Sequence, residues 1–490
     1  MAPAGRGAHV AVPKVVYLVP GLACARPLPL ARALHLPSPR RVQVRKASSR
    51  RRHWVYTHCA PAGKAARALA AGPDRGRDPC SGPGEHASRR VRRMTAEPHL
   101  EARGRAALFS RPVLLAGVVA ALATLLLADL MPRYAPGLLR LEHAMADVRT
   151  ALLSDQWPTQ HPRVAVVGIG EQTLNGYPAR LPIDRLLLAK LVAALDAADV
   201  AAIGIDVLFY RTTPSDNEDA LIAAIRRCRA KVVVAAADER LQLTPAQSER
   251  QFAFISAVGR PAGFANLATE RDWVVRFKAQ TAAGSRFQRS FAELLAEAAG
   301  VTPDVRHRRI AWLREPADGS DTFLTIPAET LLLAADEPLP QAARAALKDK
   351  VVILGGVLPD VDQHLTPLTS RSGETMPGAL IHAHMLAELI DGRSVSQLEV
   401  DSPALRLGLA FLAGFGFLIG WRYRLKRKGI LLSSLATIVI LALDTLAFWQ
   451  LRIIMPIVLA LLAWFIGEFT GHWLGKWLGP RPARKMWVAQ

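Results

Sequence analysis

Cysteine is nearly absent from most of this chain. Cys24, Cys59 and Cys80 lie within the first 93 of its 490 residues, and Cys228 stands alone beyond them. No disulfide framework can form after residue 93, and no Cys-x-x-Cys metal pattern exists. Cys228 lies in an apolar helical stretch and reads as a core residue. Catalytic signatures are missing too. There is no Gly-x-Ser-x-Gly, no His-Glu-x-x-His, no Walker A loop, and no Gly-x-Gly-x-x-Gly after a strand. The glycines of GIGEQTLNG (168–176) have the wrong spacing for a phosphate cradle. These absences argue against an enzyme, and no cofactor is expected.

Acidic residues are scarce at the front. Residues 1–93 hold three of them against 19 Lys/Arg, so +16 of the net charge of +21 lies there. The segment RRVQVRKASSRRR (40–52) reads either as a patch for nucleic acid or anionic lipid, or as part of a disordered basic tail. The tail is the favoured reading, and no nucleic-acid partner is expected. Met94 starts a segment shaped like an ordinary amino terminus, so residues 1–93 also read as upstream sequence outside the native protein. A peptide from 1–93 detected in native material by mass spectrometry excludes that reading.

Long apolar runs are what the chain has. Pro112–Met131 is long enough to cross a bilayer and is preceded by Arg103, Arg105 and Arg111. Three more runs follow near the other end, at 403–421, 430–449 and 453–473. The basic turn RYRLKRK (422–428) and the basic tail 474–490 then fall on the same side as the segment 94–111. The positive-inside rule places that side in the cytoplasm. Residues 132–402 are therefore expected outside, as one soluble domain.

Within 132–402, strand-like and helix-like segments alternate. Strands are read at 163–170, 201–209, 231–237 and 274–280, with helices at 182–198, 214–229 and 290–299, and GFAN (263–266) lies between the third and fourth strands. IAWL (310–313) and FLTI (323–326) read as a hairpin. VVILGG (351–356) reads as a buried strand. A polar loop follows it with Asp360, Asp362, His364 and Pro367, then a helix at 376–391 with His382 and His384. The expected fold class is an α/β domain with a mostly parallel sheet and flanking helices, joined to four transmembrane helices.

Several segments in this order carry a resemblance. They are ADVR (146–149), VVGIGEQTL (166–174), AAIGIDVLFY (201–210), GFAN (263–266) with RDWVVR (271–276), LKDKVVILGG (347–356), Asp-x-His-x-Thr-Pro (362–367) and MPGALIHAHMLAELIDG (376–392). Their order resembles CHASE2, the extracytoplasmic sensory domain of bacterial signalling proteins. The family usually shows a Trp-Pro-Trp-Pro-Arg-like segment after its first strand. Here YPARLPIDR (177–185) lacks both tryptophans. The family's usual Asp-Gly before the Val-Val-Arg strand is Asp272–Trp273. Family proteins commonly continue into a cyclase or a kinase, and no fused output domain is expected here.

Candidate ligand contacts are Asp206, Asp362, His364 and His382. Asp206 ends a buried strand, where α/β folds bind ligands. Its alternative role is to cap the following turn or pair with a backbone amide. A metal held by Asp362 and His364 with His382 or His384 is the less favoured reading, because the two histidines are two apart and leave a helix on different faces. The preferred reading has Asp362 and His364 ordering the loop while His382 hydrogen-bonds across to it. No metal and no catalytic residue are assigned. In the membrane, Asp444 reads as a relay point or partner contact or, in the favoured reading, as paired with Arg452 of the adjoining turn, and Glu468 lies in the last run.

These observations predict a multi-pass sensor of the bacterial inner membrane, with both termini in the cytoplasm and 132–402 in the periplasm. The resemblance implies a separate cytoplasmic kinase or cyclase, or a periplasmic FecR-like protein, as partner. A homodimer remains open. The alternatives are a scaffolding membrane protein without ligand, or a cell-envelope enzyme.

Overall fold

The structure is a computed structural model that describes residues 111–478, apart from 178, 213–214, 333–339, 370–373 and 424–425. The readings of residues 1–93, of 94–110 and of the tail beyond 478 lie outside the described residues.

Six apolar runs form one sheet. They are β1 (Val164–Ile169), β2 (Ala202–Asp206), β3 (Lys231–Ala236), β4 (Ala262–Phe264), β5 (Leu324–Pro327) and β6 (Val351–Gly356). The order is β4–β3–β2–β6–β1–β5, and every pairing is parallel. β1 is buried at every position, as expected for a strand covered on both faces. β6, the last strand in sequence, lies inside the sheet between β1 and β2.

Helices cover both faces. α1 (Arg111–Tyr134) and α2 (Pro136–Leu153) precede the sheet. α3 (Arg185–Ala197), α4 (Ser215–Arg227) and α5 (Pro245–Val258) pack on one face through Leu187, Leu191, Leu221, Ile225 and Phe254. α6 (Phe291–Ala298) and α7 (Gly378–Asp391) cover the other, with Trp312 and Phe323. Handedness explains the split. The crossovers β1→β2, β2→β3, β3→β4 and β5→β6 all step the same way along the sheet, so right-handed connections put their helices on one face. The return from β4 to β5 runs over the other.

Among the described residues four helices are long and apolar enough to cross a membrane: the Val113–Met131 part of α1, α8 (Pro403–Tyr423), α9 (Arg427–Leu451) and the Ile457–Trp477 part of α10 (Ile457–Leu478). α8 and α10 meet backbone to backbone. A Cβ at Gly416 or Gly420 would collide with α10, and one at Gly467 or Gly471 with α8. Such small-xxx-small seams are how helices pack where no water drives them together.

Several expectations need correction. IAWL and FLTI form no hairpin: Leu313–Arg314 pairs with Asp155–Gln156, and β5 pairs with β1, both in parallel. Two apolar runs ten residues apart suggested a turn, but each found a partner distant in sequence. The helix expected at 376 starts at Gly378, because Met376–Pro377 is extended against Gln363–His364. The last apolar helix starts at Ile457 rather than 453, since Ile453–Ile454 pairs as a strand with Ser396–Gln397. The sequence reading missed α2 and α5 altogether.

Candidate functional site

β2 and β6 are neighbours whose following helices leave to opposite faces, α4 to one and α7 to the other. A crevice opens at such a switch point, beyond the carboxyl ends of the strands. Here it is a cleft of about 900 Å³. Asp206, Asp362, His364 and His382 all line it, so the four predicted residues are brought together.

Each arrives by a different route. Asp206 ends β2 opposite Gly355 of β6. Burial pushes its carboxyl up to about 6, with Asp362 adding to the shift and His382 and His364 opposing it. Among the described residues no side-chain hydrogen bond fixes it, so neither the turn-cap nor the amide-pair alternative applies. Asp362 takes a left-handed backbone (φ 55°), unusual for a residue with a Cβ. That bend lays its carboxylate against Gly378, where any side chain would collide with it. The Gly378 N–H donates to the Asp362 carbonyl at 2.9 Å, and His364 Nε2 lies 2.8 Å from Asp362 Oδ1. His382 instead faces the Ala265 carbonyl at 3.1 Å through Nε2, a correction to the expected bond with the 362–364 loop. Asp360 lies apart, paired with Arg180, whose hydrogen bonds hold its carboxyl below the usual range.

His384 points away from the cleft, as its two-residue offset from His382 requires. It is buried between Trp312 and Phe323, where its Nδ1 accepts from the Leu313 N–H at 3.3 Å. Burial drives its pKa down to about 3. Among the described residues no group of three or more His, Cys, Asp or Glu could hold a metal ion.

α7 leads from the cleft to the apolar helices. Twelve of its 14 residues are buried. Ala379 packs where Gly355 has no side chain. Glu388 accepts from Lys278 Nζ at 2.6 Å and from the Ala311 N–H at 3.0 Å. Asp391 meets His161 Nε2 at 3.2 Å and Arg393 Nε at 3.0 Å. Just beyond, the Ser396 N–H donates to the Arg452 carbonyl at 2.9 Å and the Leu398 N–H to the Ile454 carbonyl at 3.0 Å. The turn between α9 and α10 is thereby stitched to the segment that follows α7.

α2 grips the same turn from the other side. Glu142 accepts from the Ile457, Val458 and Leu459 N–H groups at 2.8, 2.9 and 3.3 Å, which satisfies the open amino terminus of α10. Burial still pushes the Glu142 carboxyl up, against those three bonds. Arg149 donates to Asp444 in α9 and to the Met455 carbonyl. Arg452 pairs with Asp155, so the expected Asp444–Arg452 pair does not form: a partner from α2 reaches Asp444 instead. Asp147, two residues before Arg149, faces the α/β body. It accepts both side-on N–H groups of Arg276, at 2.8 and 2.6 Å. Glu270 and Asp272 complete the Arg276 shell. Glu468 accepts from Ser433 of α9.

The ADVR and VVR segments singled out in the sequence are thus the two halves of one ion-pair cluster. Both lie within the stretch that a family model, the CHASE2 domain, matches: residues 118–420, from inside α1 to inside α8. No curated protein matches the chain, and no solved structure does. The matched stretch is more than half of the sequence, and the chain belongs to the CHASE2 family of extracytoplasmic sensory domains.

Proposed function

We propose that the chain is a bacterial inner-membrane sensor whose cleft binds a small periplasmic ligand and whose α7 carries the event to the membrane helices. The observation that carries this reading is the course of α7. Its first turns border the cleft through His382, and its end feeds the Ser396–Gln397 ladder on the α9–α10 turn. A helix of 14 residues is roughly 20 Å long, and buried on nearly all sides it moves with its surroundings rather than alone. The α8–α10 seam passes such a shift on as one unit, and a separate cytoplasmic kinase or cyclase reads it. A periplasmic FecR-like protein is the alternative partner.

The orientation follows from charge. The carboxyl end of α1, the amino end of α8 and the α9–α10 turn adjoin the α/β body, while the basic 422–428 turn joins the far ends of α8 and α9. Basic ends stay in the cytoplasm, which puts the body outside. Alkaline phosphatase inserted within 210–240 is expected to be active. A reporter that fluoresces only in the cytoplasm, glowing from that position, overturns the reading.

A further inference from the structure

Arg185, in the wall of the cleft, keeps buried hydrogen-bond donors that no described residue fills. It opens α3 and is 1% exposed. Its guanidinium carbon lies 4.5 Å from the centre of the Phe209 ring. Phe209 is itself stacked on Phe254 at 3.9 Å, so the wall behind the charge is fixed. Nη1 donates to the Ile183 carbonyl at 3.3 Å. Nε and Nη2 have no hydrogen-bond partner. Those two form the side-on fork of an arginine, a pair of parallel N–H groups spaced for one carboxylate. Arg276 shows the same fork filled, by the two oxygens of Asp147. Asp184 and Glu218 offset part of the Arg185 charge from a distance, but neither fills its fork. Leaving buried N–H donors empty costs free energy that a ligand's oxygens can recover.

A second group in the cleft wall has the opposite need. His382 Nε2 faces a carbonyl, which can only accept, so that nitrogen carries the proton. Nδ1 is then the ring nitrogen left to accept, and it is buried without a partner. Asp206 adds a carboxyl that no described side chain ties down.

We infer that the cleft takes a small organic carboxylate that also bears a hydroxyl or ammonium group. The Arg185 fork holds the carboxylate, and Asp206 with His382 Nδ1 receives the donor group. This rests on the cleft being the recognition site of the proposed sensor.

The test uses the full chain in lipid nanodiscs, with malate and glutamate as probes. Thermal unfolding is followed with each probe, with sodium chloride at matched ionic strength, and with the dimethyl esters. At saturation at least one acid is expected to raise the midpoint by about 2 °C or more, while chloride and the esters leave it in place. Arg185→Lys keeps the charge but loses the fork, and is expected to weaken the acid's binding at least tenfold. Equal shifts from acid and ester, no shift with either acid, or undiminished binding by Arg185→Lys overturns the inference. Should that variant not fold, the acid–ester comparison on the wild type still decides. An active outer reporter with no response to the acids removes only the ligand assignment. A cytoplasmic signal at 210–240 removes the sensor reading itself.

Discussion

The cleft and the junction beneath the body are both rich in charge, yet they spend it differently. At the junction, buried charges meet in close pairs: Arg276 with Asp147, Arg149 with Asp444, Glu142 with three backbone amides. In the cleft, Arg185 and His382 keep polar atoms without partners, and Asp206 is raised by burial. At the junction Arg149 Nε, Asp444 Oδ1 and Arg309 Nη2 also lack a hydrogen-bond partner, but each of these groups meets an opposite charge, and paired charges hold one geometry. Unsatisfied groups are where a second molecule gains most by binding. The contrast separates a part built to receive from a part built to hold.

The strongest way to break the contrast is to empty the junction. Arg276→Met leaves Asp147, Glu270 and Asp272 facing one another around a removed cation. It is expected to cost about 3–5 kcal/mol, read by denaturant unfolding of the body. Arg149→Met strands Asp444 and belongs in the same range. Adding Asp444→Leu is expected to recover most of that loss, a non-additivity that a double-mutant cycle measures. If the double variant is as unstable as the single, the pair is not the reason.

In the cleft the sign reverses. The folded-state pKa of Asp206 is about 6, above the ~3.9 of an unfolded chain. The stability contributed by its neutral form is complete below about pH 4 and is lost as pH rises through 6. Asp206→Asn is therefore expected to stabilise the protein at pH 7.5 by roughly 3 kcal/mol and to match the wild type at pH 4. Melting curves across that range test it, and a destabilised variant at pH 7.5 contradicts it.

Two smaller changes sharpen the picture. Glu142→Gln keeps an acceptor but loses the charge at the α10 amino terminus. It is expected to cost about 1 kcal/mol and to speed amide exchange at 457–459. Trp273 has a left-handed backbone, φ 66°, and is 74% exposed. Trp273→Gly is expected to stabilise by about 1 kcal/mol, read as a raised midpoint.

Much of the sheet was legible because apolar β-branched runs are self-announcing. β1, β2, β3 and β6 fall within a few residues of their expected limits, and the strand-end position of Asp206, which made it a candidate, is where the cleft opens. The amphipathic α2 was harder. Its buried Glu142, Asp147 and Arg149 look like a solvated face until their partners at 457–459, 276 and 444 are known. Arg185 was missed for the same reason. An arginine opening a helix reads as surface, and only the Phe209 wall and the unfilled fork mark it as buried. Signals that depend on two residues far apart in sequence are invisible until the chain is folded.

The claim that α7 joins the cleft to the junction has a direct test. Tyr210 lines the cleft, so a bulky thiol adduct on Tyr210→Cys, in a chain whose other cysteines are serine, fills it. Hydrogen exchange is then measured on the full chain in nanodiscs, with and without the adduct. The account predicts a several-fold change at Ser396, Leu398 and Ile457–Leu459, well away from the adduct. Changes confined to 206–211 and 265–268, with those distant amides unmoved, would contradict it.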